Sequence, residues 1–180
     1  MSKKTRQSVI IAGLVVLIIA AGAAIYVTYI KPISISVLQP LPQKKVITLY
    51  FYNPDTDTLK PEQRAVVPAA TVTDTCRTII AELELGSHTG LTTPIPANVA
   101  VNDANIRPDG TLFLDLNQAL VAGTPEGSSA EITALYSIVN SLAKNISGVK
   151  AVQITINGKL FQTLETHIEI DQPIVPDYSK

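Results

Sequence analysis

The chain has 180 residues, with 14 lysine and arginine residues against 15 aspartate and glutamate residues, for a formal net charge of -1. This balance argues against a nucleic-acid partner, because phosphate binding needs a concentrated cationic surface. A single cysteine excludes an intramolecular disulfide, so the folded part must be stable through packing alone.

The N-terminal region has the pattern of a membrane anchor. Residues 1–8 form a short basic tail with Lys3, Lys4 and Arg6, and residues 9–30 form an unbroken apolar run. At about 1.5 Å per residue this run would make a helix of roughly 33 Å, enough to cross the hydrocarbon core of a bilayer. Basic residues beside a span resist translocation. We therefore expect a single-pass protein of the cell membrane, with its N-terminus in the cytoplasm and its C-terminal domain outside it.

A cleaved signal peptide is the alternative interpretation. The basic start, the apolar stretch and the small residues Ala21-Gly22-Ala23 are its usual components. The apolar run continues through residues 25–27, which is longer than a usual signal core and favours the anchor. Both interpretations place the following domain in the same compartment, and cleavage would release it as a secreted protein.

The rest of the chain divides into three parts. Residues 31–45 contain three prolines and are predicted to form a semi-extended linker. Residues 46–170 are long enough for one domain with its own core. Residues 171–180 contain two prolines, end in polar residues and are predicted to form a loose tail.

The domain is predicted to open with two strands. Residues 46–52 are β-branched and aromatic, which is typical of a strand covered on both faces, and a second strand is expected near residues 65–67. Between them Asn53, Asp55 and Asp57 alternate in a way that resembles a calcium loop.

A calcium loop of that type would need glycine and glutamate where this chain has Thr58 and Arg64. The segment is therefore predicted to be a polar hairpin loop.

A first amphipathic helix is expected to begin near Thr73 or Asp74 and to end at Gly86. Its apolar face has the helical spacing i, i+3, i+4 and i+7, and it consists of Cys76, Ile79, Ile80 and Leu83. Because free cysteine behaves as a small buried hydrophobe, Cys76 is predicted to be a core residue and not a nucleophile.

Extended segments are predicted over residues 99–106 and, after a turn at 108–110, over residues 111–116. Asp115 and Asn117 follow the leucines of the second segment. They could form a ligand-binding pair, but such residues more often turn the chain by bonding nearby backbone groups.

A second amphipathic helix begins at a capping box formed by Ser128 and Glu131, carries a single apolar stripe and ends near Gly148. Residues 149–156 are then predicted to form a hairpin with residues 159–164. The order of elements predicts an α+β domain, with two amphipathic helices packed on small, mostly antiparallel sheets and preceded by one transmembrane helix.

The chain offers no arrangement typical of an enzyme. His88 and His167 have no cysteine, histidine or carboxylate at the spacing of metal ligands. We predict no catalytic, cofactor-binding or metal-binding residue, no cofactor, and a protein that is not an enzyme.

Three segments together resemble one known family. The first is LYFYNPDTDTLKPEQRAV, the second runs from AELELGSHTG to TLFLDLNQAL, and the third is GSSAEITALYSIVNSLAKNISGVKAVQITINGKLFQTL. In order and spacing they are similar to the GerMN domain of sporulation and spore-germination proteins, over about residues 46 to 176. Gly86-Ser87 stands where the family often has Gly-Pro, and Asn117 where it often has serine. The resemblance implies a membrane-tethered, extracytoplasmic module of cell-envelope complexes, without catalytic residues to carry over.

Two function hypotheses remain. The first is a non-catalytic interaction and assembly module that binds envelope proteins. The alternative is a domain that binds cell-wall glycan or a small molecule, with residues 53–58 and 86–96 as the mouth of its site. An envelope hydrolase would require one of the two histidines to meet a carboxylate.

Overall fold

The computed structural model describes residues 3–29, 43–124, 128–160, 163–164, 168–169 and 171–180. The chain divides into two units, residues 1–42 and residues 43–180.

The described part of the first unit is the helix α1 (Lys3–Tyr29). Its side chains are described at residues 6, 8 and 11–26, and all of these are exposed. Among the described residues, no helix combines the length and the apolar character that crossing a membrane requires. The transmembrane helix expected over residues 9–30 therefore stays a prediction.

The second unit is a mixed α+β domain with small sheets, as predicted. Its elements in chain order are β1 (Lys45–Asn53), β2 (Thr58–Val66), α2 (Val72–Glu84), β3 (Val101–Ile106), β4 (Thr111–Leu116), α3 (Ala119–Gly123), α4 (Ser128–Asn145), β5 (Ala151–Ile156), β6 (Thr163–Leu164) and β7 (Ile168–Glu169). The described strands form three sheets, with orders β1-β2, β3-β4-β5 and β6-β7. The short helix α3 was not predicted.

The first sheet is an antiparallel hairpin that pairs all nine residues of each strand, from Lys45 opposite Val66 to Asn53 opposite Thr58. The second strand was expected near residues 65–67. The predicted start is wrong, because β2 begins seven residues earlier, at Thr58. Pro61 argues against a strand in the sequence because proline cannot donate to a ladder. In the folded hairpin Pro61 lies opposite Tyr50, and the backbone groups of this pair point away from the partner strand. The pairing of β1 with β2 therefore needs no N–H from residue 61.

The central sheet contains one antiparallel and one parallel pair. β3 and β4 are antiparallel, whereas β4 and β5 run parallel from Thr111 opposite Ala151 to Leu116 opposite Ile156. The crossover between these parallel strands contains α3 and α4. Three of the four described strand pairs are antiparallel, so the sheets are mostly antiparallel as predicted.

The hairpin predicted after β5 is only partly present. Asn157 and Gly158 adopt the left-handed conformation of a tight turn, and Lys159 bridges to Ile156. The described part of the expected return strand does not extend this pairing, because Thr163–Leu164 pairs with β7. The free edge of β5 is bridged by Ile174 instead.

The two long helices of the second unit, α2 and α4, bury different amounts of their surface. α2 begins at Val72 after the N-cap Thr71, one or two residues before the start expected near Thr73 or Asp74, and its predicted apolar face is fully buried. α4 contacts both β1 and β5. The prediction of a single apolar stripe on α4 is wrong, because contacts on two sides also bury Ser137, Asn140 and Ser141.

The C-terminal segment of residues 171–180 does not fit the prediction of a loose tail. Ile174 exchanges two backbone hydrogen bonds with Val152, of 2.9 and 2.8 Å. Asp177 and Asn140 likewise exchange two hydrogen bonds, of 2.9 and 2.7 Å. The ring of Tyr178 lies 5.4 Å from that of Tyr50. These contacts fasten the segment to β5, α4 and β1.

Candidate functional site

Polar side chains of α4 cover the free edge of β1. Ser137, Ser141 and Asn145 recur every four residues, which places them on one face of the helix. Ser141 Oγ accepts from Tyr50 N at 3.0 Å, and Ser137 Oγ donates to Tyr50 O at 2.6 Å. Asn145 accepts from Thr48 N at 2.9 Å and donates to Thr48 O at 2.6 Å. The helix thus satisfies the backbone groups that a neighbouring strand would otherwise bind.

The same arrangement protects β3. Thr73 and Arg77, four residues apart on α2, reach its free edge. Thr73 Oγ1 donates to the carbonyl of Ala104 at 3.0 Å, and Arg77 Nε donates to the carbonyl of Val101 at 3.2 Å. The edge of β3 is therefore bonded by side chains at Val101 and Ala104, and not by another strand.

The outer edge of β2 is open over part of its length. Successive residues of β2 point their backbone groups alternately toward β1 and away from it. Of those pointing away, Leu59 donates to the carbonyl of Lys180 at 2.7 Å, and Pro61 has no N–H. Gln63 and Ala65 are exposed, and no described backbone group bonds their outward N–H and C=O groups. This open edge, residues 63–65, is defined here as the β2 edge.

A buried carboxylate fixes the loop that follows α2. Glu62 accepts from Ser87 Oγ at 2.6 Å, from Thr89 Oγ1 at 2.8 Å and from the backbone N of His88 at 3.1 Å. It also forms an ion pair of 2.8 Å with Arg64, whose side chain is 4% exposed. One charged group thereby holds three consecutive loop residues.

Arg64 connects the same network to α2. Its Nη1 donates to the carbonyl and to the carboxylate of Glu82, each at 3.0 Å, and its Nη2 donates to the carbonyl of Gly86. Burial alone would raise the pKa of Glu62, but the hydrogen bonds from Ser87, Arg64, His88 and Thr89 outweigh it and lower the pKa to about 2. Glu62 is therefore ionised at neutral pH.

A cavity of about 490 Å³ lies beyond this loop. Its walls come from the loop segment Thr92–Pro96, from Tyr52 at the end of β1, and from the first turns of α4. Tyr52 and Thr92 are joined by two backbone hydrogen bonds, of 3.0 and 2.8 Å. The cavity lies where residues 86–96 were predicted to form a mouth.

A second cavity of about 130 Å³ shares Tyr52, Ser129 and Thr133 with the first. It is lined by Asp57 and Thr58 of the hairpin loop. Both predicted loops therefore contribute to one concave region, which is the candidate functional site.

The comparisons with known proteins agree with this fold. The family described as sporulation and spore germination, Germane, matches residues 48–161, which is more than half of the chain. The chain belongs to the Germane family. No protein of curated function matches it.

Two solved structures share the Germane fold of this chain. The tandem GerMN domains of the sporulation protein GerM from Bacillus subtilis match with 23% identity and a TM-score of 0.60, over 81% of this chain and 50% of that one. This chain thus spans about half the length of the tandem protein. The first GerMN domain of the same protein matches with 18% identity and a TM-score of 0.57, over 76% of this chain and 98% of that one. These likenesses establish the fold.

The Germane domain places the predicted candidate residues apart from one another. Cys76 is fully buried, and burial raises the pKa of its thiol to about 12. His88 lies exposed in the loop held by Glu62, and His167 lies outside the described residues. In the described part of the chain, no group of three or more histidine, cysteine and carboxylate side chains is placed to hold a metal ion.

The polar residues of the hairpin loop have structural partners. Asn53 Oδ1 accepts from Asp55 N at 2.9 Å, and Asp57 accepts from the hydroxyl of Tyr52 at 2.9 Å. The latter bond raises the pKa of Tyr52. The loop connects β1 and β2, which confirms the prediction of a polar hairpin loop.

Asp115 and Asn117 also act on nearby backbone. Asp115 accepts from Thr155 Oγ1 at 2.7 Å and from Gly158 N at 2.6 Å, and so supports the turn after β5. Asn117 accepts from Ala100 N at 3.1 Å. This agrees with the structural role expected for the pair.

The sequence did not point to the buried pair of Glu62 and Arg64. The available signal was the two-residue spacing from Glu62 to Arg64 and from Arg64 to Val66, which places all three residues on one face of a strand. That signal required β2 to be recognised from Thr58 onward.

Proposed function

We propose that this protein is a non-catalytic interaction module with a sporulation-related or other envelope role, which binds a partner protein through the β2 edge. Membership of the Germane family supports the role. The β2 edge supports the mode of binding, because unpaired backbone groups at a strand edge can add a strand from another chain.

The contrast with the edges of β1, β3 and β5 carries this proposal. Natural proteins cover or blunt exposed strand edges because such edges pair with other chains. Here β1 and β3 are covered by helix side chains, and β5 is bridged by the C-terminal segment. The β2 edge is flanked by two exposed apolar side chains, Val67 at 53% and Val46 at 58%. An added strand would satisfy the open backbone groups and cover part of this apolar surface.

Two double variants test the edge without disturbing the core. Gln63→Lys with Ala65→Lys, and Gln63→Glu with Ala65→Glu, place charges of either sign at exposed positions, where charges oppose strand addition. Partner recovery by crosslinking from envelope extracts is expected to fall about tenfold for both, which corresponds to about 1.4 kcal/mol. Ala70→Lys, at an exposed position outside the edge, is the matched control.

Opposite effects of the lysine and glutamate variants would indicate a charge effect and count against strand addition. Equal recovery by both double variants and the wild type would refute binding at the β2 edge.

We also propose that the module is tethered at the outer face of the cell membrane. The uncharged apolar run of residues 9–30 and the preceding basic tail support the tether. The mass of the mature protein and the sidedness of its C-terminus test it together. An uncleaved mass with an outside C-terminus is expected, whereas a mature chain that begins near Ala24 would indicate a secreted protein.

Binding of cell-wall glycan or of a small molecule is a second candidate function, and the 490 Å³ cavity favours the small molecule. Cell-wall glycan was the other ligand predicted for this region. Purified wall material that sediments the wild-type protein would support glycan binding, and failure to sediment it would remove glycan from consideration.

A further inference from the structure

We propose that the cavity beside Tyr52 binds a small, uncharged, amphipathic molecule that has an apolar body and a hydrogen-bond donor. This inference deepens the second candidate function, on which it rests, and is independent of the β2 edge.

The size of the cavity suits a small organic ligand. Ligand pockets commonly have volumes of about 300 to 1,000 Å³. The cavity of about 490 Å³ lies within this range. The ligand is assigned to this cavity alone, because its neighbour of about 130 Å³ is also lined by the charged residues Asp57 and Lys180.

The lining selects an uncharged ligand. Pro94, Ile95, Pro96 and Ala130 supply apolar surface, and the polar residues of the described lining carry hydroxyl groups without a formal charge. Burying an ionised group without a partner is costly. A charged ligand would lose hydration here without gaining an ion pair from these residues.

Two hydroxyl groups of the lining determine the polar end of the ligand. The hydroxyl of Tyr52 donates to Asp57 at 2.9 Å, and that of Thr133 donates to the carbonyl of Ser129 at 2.7 Å. Each hydroxyl has one hydrogen and two lone pairs, so a hydroxyl whose hydrogen is engaged can still accept. The ligand should therefore carry an O–H or N–H donor.

The wall formed by Tyr52 and residues 92–96 is held in place before any ligand binds. Two backbone hydrogen bonds fix Tyr52 to Thr92, and the rings of Pro94 and Pro96 restrict the loop. Gly123 packs so closely on Pro96 that an added Cβ would lie 2.6 Å from the proline Cβ. A preformed cavity binds with less ordering cost than a flexible one.

The test uses the purified full chain in lipid nanodiscs with isotopically labelled isoleucine methyl groups. The probe is biphenyl-4-ol, which combines an apolar body with one donor. Its matched analogues are 4-methoxybiphenyl, which lacks the donor, and biphenyl-4-carboxylate, which is charged. Ile95 lines the cavity and reports binding, whereas the fully buried Ile154 of β5 is the internal control.

We expect a saturable shift of the Ile95 methyl signals with biphenyl-4-ol and weaker binding of both analogues. Ala130→Leu fills the cavity and is expected to weaken binding at least about tenfold, equivalent to about 1.4 kcal/mol. Ala70→Leu makes the same change at an exposed position and should leave binding unchanged. If Ala130→Leu fails to fold, Thr133→Val removes one acceptor with little change of shape and should reduce the preference for biphenyl-4-ol over its methoxy analogue.

An unmoved Ile95 signal at saturating probe would overturn the inference. Equal binding of the carboxylate would overturn the uncharged class, and equal binding of the methoxy analogue would overturn the donor. If the protein sediments with wall material but does not bind biphenyl-4-ol, the second candidate function stands and its ligand binds outside this cavity. If the protein neither binds biphenyl-4-ol nor sediments with wall material, both this inference and the second candidate function are removed.

Discussion

Removal of the hydrogen bond from Tyr50 N to Ser141 Oγ is the sharpest test of whether side chains of α4 stabilise the free edge of β1. The bond is 3.0 Å long, and Ser141 is fully buried, so water cannot replace its hydroxyl. Ser141→Ala leaves the Tyr50 N–H without its acceptor. A buried unsatisfied donor costs about 1 to 3 kcal/mol. Alanine returns about 0.5 kcal/mol through its better helix propensity.

The expected net loss is therefore about 0.5 to 2.5 kcal/mol in the free energy of unfolding. For a domain of this size it corresponds to a decrease in Tm of roughly 2 to 10 °C. Urea unfolding followed by circular dichroism measures the loss, and amide hydrogen exchange locates it. Exchange at the Tyr50 amide should accelerate more than exchange at neighbouring amides of β1.

Two matched variants separate the hydrogen bond from a general effect of removing serine. Ser129→Ala makes the same change at an exposed position in the first turn of α4 and should have little effect. Ser137→Ala removes the donor to the Tyr50 carbonyl, so it should destabilise the domain without specifically exposing the Tyr50 amide. If Ser141→Ala is as stable as Ser129→Ala, the covering bonds of α4 do not contribute to stability and the reasoning fails.

Three further predictions concern other parts of the domain. Because the pKa of Glu62 is lowered from 4.5 to about 2, its carboxylate contributes stability above pH 4.5 that is lost as the pH falls toward 2. Glu62→Gln should be less stable at pH 7 and should lose less stability over that range in urea unfolding, whereas a pH profile parallel to the wild type would contradict this. Gly123→Ala should cost about 1 to 3 kcal/mol through its clash with Pro96, and thermal unfolding at the wild-type Tm would argue against that contact. Cys76 should not react with a thiol reagent at pH 8 until urea unfolds the domain, and rapid labelling of the folded protein would show that it is not buried.

The sequence predicted the parts of the fold that have a regular pattern. The alternating leucines of β4, the apolar spacing of α2 and the aromatic run of β1 each bury one continuous face, so periodicity locates them. The start of β2 was not predicted, because Pro61 opposes strand formation locally. In the folded hairpin Pro61 lies at a position whose N–H is not needed for pairing with β1.

Side-chain to backbone contacts over long sequence distances could not be predicted in the same way. Ser137 and Ser141 interrupt the apolar pattern of α4, and only the position of β1 explains their burial. The loop 86–96 was predicted to contribute to a site, and it lines the cavity. Its attachment to Glu62 was missed because the two segments are 25 residues apart and neither carries a periodic signal.

The β1–β2 hairpin carries both proposed binding regions, and its geometry keeps them apart. Gln63 of the β2 edge lies opposite Thr48, whereas the cavity begins at Tyr52, four residues farther along β1. At about 3.3 Å per residue these positions are roughly 13 Å apart. The edge faces away from β1, while the cavity adjoins the opposite side of the hairpin, where Thr92 pairs with Tyr52. Because hydrogen bonds hold β1 along both sides between these points, a strand added at the β2 edge need not displace the residues that line the cavity.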